Sequence, residues 1–383
     1  MTLPHEPMPM PIPIPPTLAE DGPYPCLRPF SEAVFACLPR ADQRKWARLY
    51  IEALLRTPGK KSPRRMAESV SDSPTASQAL HQFVNASPWD WLAARQGLLR
   101  WVEQAGPVTS WTLAPAFIPK RGDHSAGVHR RFDPALGRLS NCQFGVVTLA
   151  TGAYGPLPVD WNLYIPRGWA RARRSKARVP EEVGGPLWSQ AAELLRRAPL
   201  WHPDAHAPVT AELSWLPDHD AFLAHLTRGE RPFVVEVPCT TRVAPATAPA
   251  GRSSALTVRQ LLVERPATAG EERHHLLSLP VVLPGPSAER VRLRLLARRR
   301  PDGSARAWLT NLVDRQLPEL LPLMRRPRLA ASVVSALNGG FGLQDFEGRS
   351  FPGWHHHTTL VSAAFAFSRT GGRVAVGGGG PRG

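Results

Sequence analysis

Three consecutive histidines, His355, His356 and His357, suggest a metal site. On a helix, adjacent residues point in different directions, so the three cannot converge on one ion. Four cysteines, Cys26, Cys37, Cys142 and Cys239, are scattered without metal-ligand spacing. Cys142 stands in an apolar run with Phe144 and Val146, a setting that suits a buried reduced thiol better than a nucleophile. Carboxylates, the oxygen donors that hold hard divalent cations, are unevenly spread: none occurs between Glu103 and Asp123, and none between Glu319 and Asp345. Cationic side chains are abundant. Lys60, Lys61, Arg64 and Arg65 cluster beside a short helix and read either as phosphate contacts or as a solvated helical face.

The elements that position these residues belong to a 383-residue chain, long enough for one large domain with a smaller accessory one. A hydrophobic content of 43% supports a packed core. A formal charge of +16 suits a polyanionic partner. The cations are 42 arginines and five lysines. Guanidinium is the better planar fork for phosphate, although Ala-, Pro- and Arg-rich usage also follows from a GC-rich genome. The longest apolar runs fall far short of the ~20 residues of a membrane-spanning helix. "MTLPHEPMPMPIPIPP" lacks the basic flank and uninterrupted apolar core of a signal peptide, so a cytoplasmic, nucleoid-associated protein is expected.

Residues 1–25 are proline-rich and predict a disordered arm. Residues 28–105 carry apolar side chains at helical spacing, with breaks at Pro39, Gly59 and Asn85 to Pro88, and predict an all-helical basic module. From 108 to 370 strands alternate with helices. "VTSWTLAPAFI", "NCQFGVVTLA" and "PVDWNLYIP" read as neighbouring strands, and "PVTAELSWL" and "PFVVEVP" as two more separated by a helix. Asp123 and Asp133 fall on a basic loop beyond the first strand. Residues 240–288 read as a loop within an insertion at about 240–312, whose end forms a β-hairpin turning at Pro301–Asp302–Gly303. A helix follows over 316–338, broken near Pro327, then a closing helix in "HHHTTLVSAAFAFS" and a disordered Gly-rich tail over 371–383. This order predicts an α/β fold, a mixed sheet flanked by helices with a β-rich insertion.

Block by block, the chain resembles the DDE transposases of bacterial insertion sequences. In "FIPKRGDHSAGVHRRFDPALGRLSNCQFGVV", Pro119, Lys120, Arg121 and Gly122 match the Pro–Lys–Lys–Gly end of the family's first catalytic block, and Ala114 and Pro115 occupy its aspartate positions. "TAELSWL" matches the second block, with Glu212 in place of the aspartate, Trp215 of a tyrosine and Leu216 of a glycine. "GLQDFEGRS", from Gly342 to Ser350, matches the downstream half of the third block, whose upstream glutamate position falls on Ala331 or Ser332. Asn141–Cys142–Gln143 matches an Asn–Cys–Gln of the family, and Gln78, Trp89 and Asp90 match landmarks of its DNA-binding region.

The resemblance implies a ribonuclease-H-like fold, double-stranded DNA at insertion-sequence ends as partner, multimeric assembly, and Mg2+ or Mn2+ as cofactor of an active enzyme. In such chemistry two cations bridged by carboxylates activate the attacking oxygen and neutralise the leaving one. With two of the three acids absent, the implied protein binds DNA and is catalytically degenerate, Glu212 being the remaining triad-position acid and sole candidate for metal and catalysis. The alternative is an active transposase or endonuclease that has recruited other acids such as Asp123, Asp133, Asp218 or Asp345. A third reading is a scaffold whose basicity is only compositional. The resemblance adds Lys120, Arg121, Arg130, Arg131, Arg349, His355 and His357 to the DNA-contact candidates, with Arg349 equally suited to a structural ion pair.

Overall fold

The computed structural model describes residues 24–133, 137–169, 171–201, 206–229, 231–246, 255–264, 276–284, 291–299 and 304–372. The predicted N-terminal arm up to residue 23, the turn at Pro301–Gly303 and the tail from 373 lie outside the described residues.

Five helices open the chain: α1 (Leu27–Val34), α2 (Ala41–Arg56), α3 (Pro63–Val70), α4 (Ala76–Asn85) and α5 (Trp91–Glu103). Their starts follow local chemistry. Asp90 caps α5 by accepting from the backbone N–H groups of Leu92 and Ala93 at 2.8 and 3.1 Å, and Pro63 opens α3, where a missing N–H costs nothing. Gly97 lets α5 cross α1 closely, since a Cβ there would lie 2.2 Å from the Val34 carbonyl oxygen.

The sheet then forms from β1 (Ser110–Pro119), β2 (His129–Asp133), β3 (Arg138–Gly152), β4 (Gly155–Leu163), β5 (Val209–Glu212) and β6 (Phe233–Val237). Between β4 and β6 lie the helices α6 (Arg171–Lys176), α7 (Leu187–Trp201) and α8 (His219–Arg228). β3 pairs antiparallel with β1 along one edge and with β2 and β4 on the other, while β1, β5 and β6 run parallel. A central strand with an antiparallel meander on one side and parallel crossover strands on the other is the ribonuclease-H-like arrangement.

Residues 129–133, expected as loop, form a strand instead, because their backbone pairs antiparallel with 138–142 whatever the polarity of the side chains. The insertion also departs from the expected loop. β7 (Arg242–Pro245), β8 (Leu256–Thr257), α9 (Val258–Glu264), β9 (Leu277–Val282), β10 (Leu293–Arg299) and β11 (Ala305–Thr310) extend the same sheet outward from β6 through β11, giving eleven strands among the described residues. Pro280 disguises β9, although the strand pairs with both β10 and β7.

One face of the sheet is covered by α7, α8 and α9. The other carries α10 (Leu317–Gly340) and α11 (Phe351–Thr370), and the five N-terminal helices share that single core with them. α10 is not broken near Pro327. Both Pro322 and Pro327 lie inside one continuous helix, and burial of the Pro327 ring offsets the lost backbone bond.

Arg95 of α5 ties these layers together. Fully buried, it donates to Asp160 Oδ1 at 3.0 Å and the Trp161 carbonyl at 2.8 Å on β4, and to Thr359 Oγ1 at 2.9 Å, Thr358 Oγ1 at 3.1 Å and His355 on α11. Arg197 completes the neutralisation from α7, its Nε 2.9 Å from Asp160 Oδ2. Burial lowers the Arg95 pKa to about 10, and Asp160 partly offsets it. Removing Arg95 leaves Asp160 to Arg197 alone and strips the buried acceptors on β4 and α11 of their donor, so Arg95→Met is expected to lower stability by about 3 kcal/mol. Urea denaturation of the two proteins checks this, and a loss below about 1 kcal/mol contradicts the assignment.

Candidate functional site

The parallel register of β1 with β5 pairs Thr112 with Thr210 and Leu113 with Ala211, which sets Ala114 beside Glu212. The hydroxyls of Thr112 and Thr210 lie 2.8 Å apart on the same sheet face. Ala114 is buried against the apolar underside of α10, formed by Ala330, Val333, Val334 and Leu337. Ala331 and Ser332, matched to the upstream glutamate position, lie on the exposed side of α10, a helical step away from the sheet. The fully buried residues of α10 are all apolar, from Leu320 through Met324 and Pro327 to Leu337.

Two carboxylates do stand side by side here. Glu212 is in register with Glu236 on β6. Glu212 Oε1 accepts the Ser214 N–H at 2.7 Å, closing the turn after β5. Glu236 is held by both arms of the Arg306 guanidinium, Nε to Oε1 at 2.5 Å, and that guanidinium lies 4.7 Å over the Trp308 ring. Glu236 escapes motif comparison; a lone acid in the apolar run "PFVVEVP" is its only signal. The other acids near the matched blocks have different employment. Asp123 pairs with Arg173 at 2.5 Å, Asp345 accepts the Lys61 backbone N–H at 2.8 Å, and Asp218 is exposed at the start of α8. Among the described residues no three His, Cys, Asp or Glu side chains come together as a metal site.

A second feature is a basic rim around the loop 341–350, which joins α10 to α11. Gly342 sits at φ +70°, and a Cβ there would strike the Lys61 side chain. The loop is stitched to its surroundings by the Lys60–Glu347 ion pair at 3.1 Å and by Lys120 Nζ donating to the Phe346 carbonyl at 2.6 Å. A third link is Ala126 N–H donating to the Arg349 carbonyl at 2.9 Å. Lys60, Arg64, Arg65, Arg121, Arg130 and Arg349 are exposed around it.

Residues 33–273, more than half of the chain, match the family described as DDE superfamily endonuclease. The chain belongs to that family. Among solved structures it is similar to the piggyBac transposase in a synaptic complex with hairpin DNA. The identity is 11% and the TM-score 0.46, over 90% of this chain and 71% of that one. No curated protein matches the sequence.

In this DDE-family chain several cations proposed for phosphate point inward instead. Lys61 is buried with its ammonium donating to the Thr57 carbonyl, and burial lowers its pKa. Lys120 is lowered to about 8 by burial, against the attraction of Asp345 and Glu347. Arg131 donates to the Trp215 carbonyl at 2.6 Å and lies 4.0 Å over the Phe144 ring. His355 and His357, expected near DNA, are 3% and 2% exposed, out of reach of a duplex. The Arg95 guanidinium can only donate, so His355 Nδ1 accepts and the ring is neutral. His356 stacks on Trp89 with ring centroids 3.9 Å apart and faces the Val84 and Trp89 carbonyls. His357 accepts from the Tyr50 hydroxyl at 3.0 Å and donates to the Gly342 carbonyl at 3.0 Å. The three rings are structural members of the core, packed by elements far away in sequence.

Burial holds the His355 pKa well below the usual range and lowers His356 and His357 to about 4. An unfolded histidine titrates near about 6.5, so in this window the unfolded chain binds more protons and acid favours unfolding. Stability is complete above that value and falls as pH drops towards 4, by about 1.4 kcal/mol per pH unit for each histidine. Urea midpoints measured across this range check the slope. A His357→Leu protein, less stable at neutral pH, is expected to show a flatter dependence; an unchanged slope contradicts the assignment.

Proposed function

We propose that this chain is a DNA-binding, transposase-like member of its family that engages insertion-sequence ends without cleaving them. The observation that carries the proposal is the donor set beside Glu212. Ala114 occupies the neighbouring strand position, the fully buried residues of α10 are apolar, and Arg306 neutralises Glu236. Mg2+ requires oxygen ligands in near-octahedral geometry, and a divalent pair needs several shared carboxylates. One turn-bound glutamate does not fit such a pair. Mg2+ or Mn2+ therefore supplies no step in this reading, and the recruited-acid alternative finds no support in Asp123, Asp218 or Asp345, which are engaged or placed elsewhere, while the Asp133 side chain lies outside what the structure describes.

The retained function is electrostatic. A chain of net charge +16 exposes Lys60, Arg64, Arg65, Arg121, Arg130 and Arg349, with cations from the helical residues 28–105 and from the core of 108–370 meeting around one loop. This arrangement suits the phosphates of double-stranded DNA and favours Arg349 as a phosphate contact over a structural ion pair. We further propose that the protein acts as a homo-oligomer on the nucleoid. Among the described residues no helix is long and apolar enough to cross a membrane.

Phosphate neutralisation makes affinity fall with salt, the log–log slope being about −0.9 per phosphate contacted. Fluorescence anisotropy on a short duplex is expected to give a steep negative slope. Neutralising Arg121, Arg130 and Arg349 to glutamine should weaken binding and make that slope shallower by about 2–3. Salt-independent binding, or an unchanged slope in the triple variant, contradicts this interface.

A further inference from the structure

Phe132 and Leu139 are the most prominent exposed apolar pair on the sheet, 55% and 58% accessible and directly opposite each other where β2 pairs with β3. They stand on an arm. β1 ends at Pro119, in register with Cys142, so β2 and the first residues of β3 continue beyond it as a two-stranded ribbon. Leu139 lies eight residues along β3 from Val147, the partner of Ala114, or roughly 26 Å away. Alternation along the strands puts Phe132, Leu139 and Arg130 on the same sheet face as Ala114 and Glu212.

The arm is held from its other face. Arg131 reaches the Trp215 carbonyl in the turn after Glu212 and stacks over Phe144. On the near face, Gln143 Nε2 donates to the Ala126 carbonyl at 2.8 Å, and Ala126 N–H bonds the Arg349 carbonyl. The apolar pair is thus pre-positioned beside the exposed Arg130, on a strand tied through Gln143 and Ala126 to the loop that carries the exposed Arg349. Residues 129–142 carry three arginines against one aspartate. An aromatic ring and a branched aliphatic side chain among guanidinium groups suit a polyanion whose bases can be unstacked. Apolar side chains wedge between base steps in this way while cations hold the flanking phosphates.

We propose that the Phe132–Leu139 pair is a wedge that enters a base step of duplex DNA lying against the exposed arm, beyond the part of the sheet that α10 and α11 cover. The proposal rests on the DNA-binding reading above, and the test separates the two. The full chain is titrated onto two short mixed-sequence duplexes, one fully paired and one with a central mismatch, each carrying the fluorescent adenine analogue 2-aminopurine at the central step. Unstacking raises the analogue's emission. The wild-type chain is expected to raise it on both and to bind the mismatched duplex about tenfold tighter, because less unpairing work remains. The Phe132→Ala, Leu139→Ala double variant should keep most of its affinity for the paired duplex but lose both the emission rise and the mismatch preference. Phe132→Trp should retain them. Binding by the wild type with no emission rise, or a rise that survives in the double variant, overturns the wedge and leaves DNA binding standing. A double variant that only changes sedimentation from dimer to monomer assigns the pair to a second copy of the chain and also overturns it. Failure of the wild type to bind either duplex removes both readings.

Discussion

The architecture depends on a single buried guanidinium. Arg95 reaches from the N-terminal helices to Asp160 and Trp161 on β4 and to His355, Thr358 and Thr359 in the first turns of α11, so the helical segment and the sheet cannot separate without exposing a buried charge. Buried ion pairs add little when compared with apolar packing, but they are costly to break on one side. Here the geometry is saturated: every arm of the guanidinium has an acceptor, and Asp160 takes a second cation in Arg197. α11 is thereby fixed against the sheet, its three histidines are sealed in the core, and the loop before it is held where the basic rim forms.

That rigidity frames the contrast between the family's chemistry and this chain's charges. A cluster of carboxylates at the head of parallel strands is strained by mutual repulsion unless cations bind between them. With alanine at the β1 position and apolar side chains along α10, the same place becomes ordinary core. Glu236, the remaining close neighbour of Glu212, is matched by Arg306, so the local charge balances without a metal. The exposed cations need no such compensation, and they persist around the loop 341–350.

Much of this organisation can be read from periodicity. The helices before residue 105 and the strands from β1 to β6, β2 excepted, follow apolar spacing and turn residues closely. β2 hides because its ribbon is polar and protrudes, so the alternation that marks a half-buried strand is absent. β9 hides behind Pro280, and the unity of α10 behind Pro327, since local propensity says nothing of the tertiary burial that overrides it. The inward turn of Lys61, Lys120 and the histidines is invisible for the same reason. Arg95 looks like a solvent-facing residue in "WLAARQGLLRW", yet its partners lie 65 and more than 260 positions away. Polar residues buried by distant acceptors leave no local pattern. The acid-free stretches 104–122 and 320–344, by contrast, are legible in the chain alone.

The central claim is that the charge at this position is too small to assemble a divalent pair. Its most direct measurement is strand cleavage by the purified full-length chain on duplex DNA, in Mg2+ and separately in Mn2+, alongside Glu212→Ala. The account predicts no cation-dependent nicking by either protein while both bind the duplex equally well. Robust nicking that requires the cation and disappears with Glu212→Ala would contradict it.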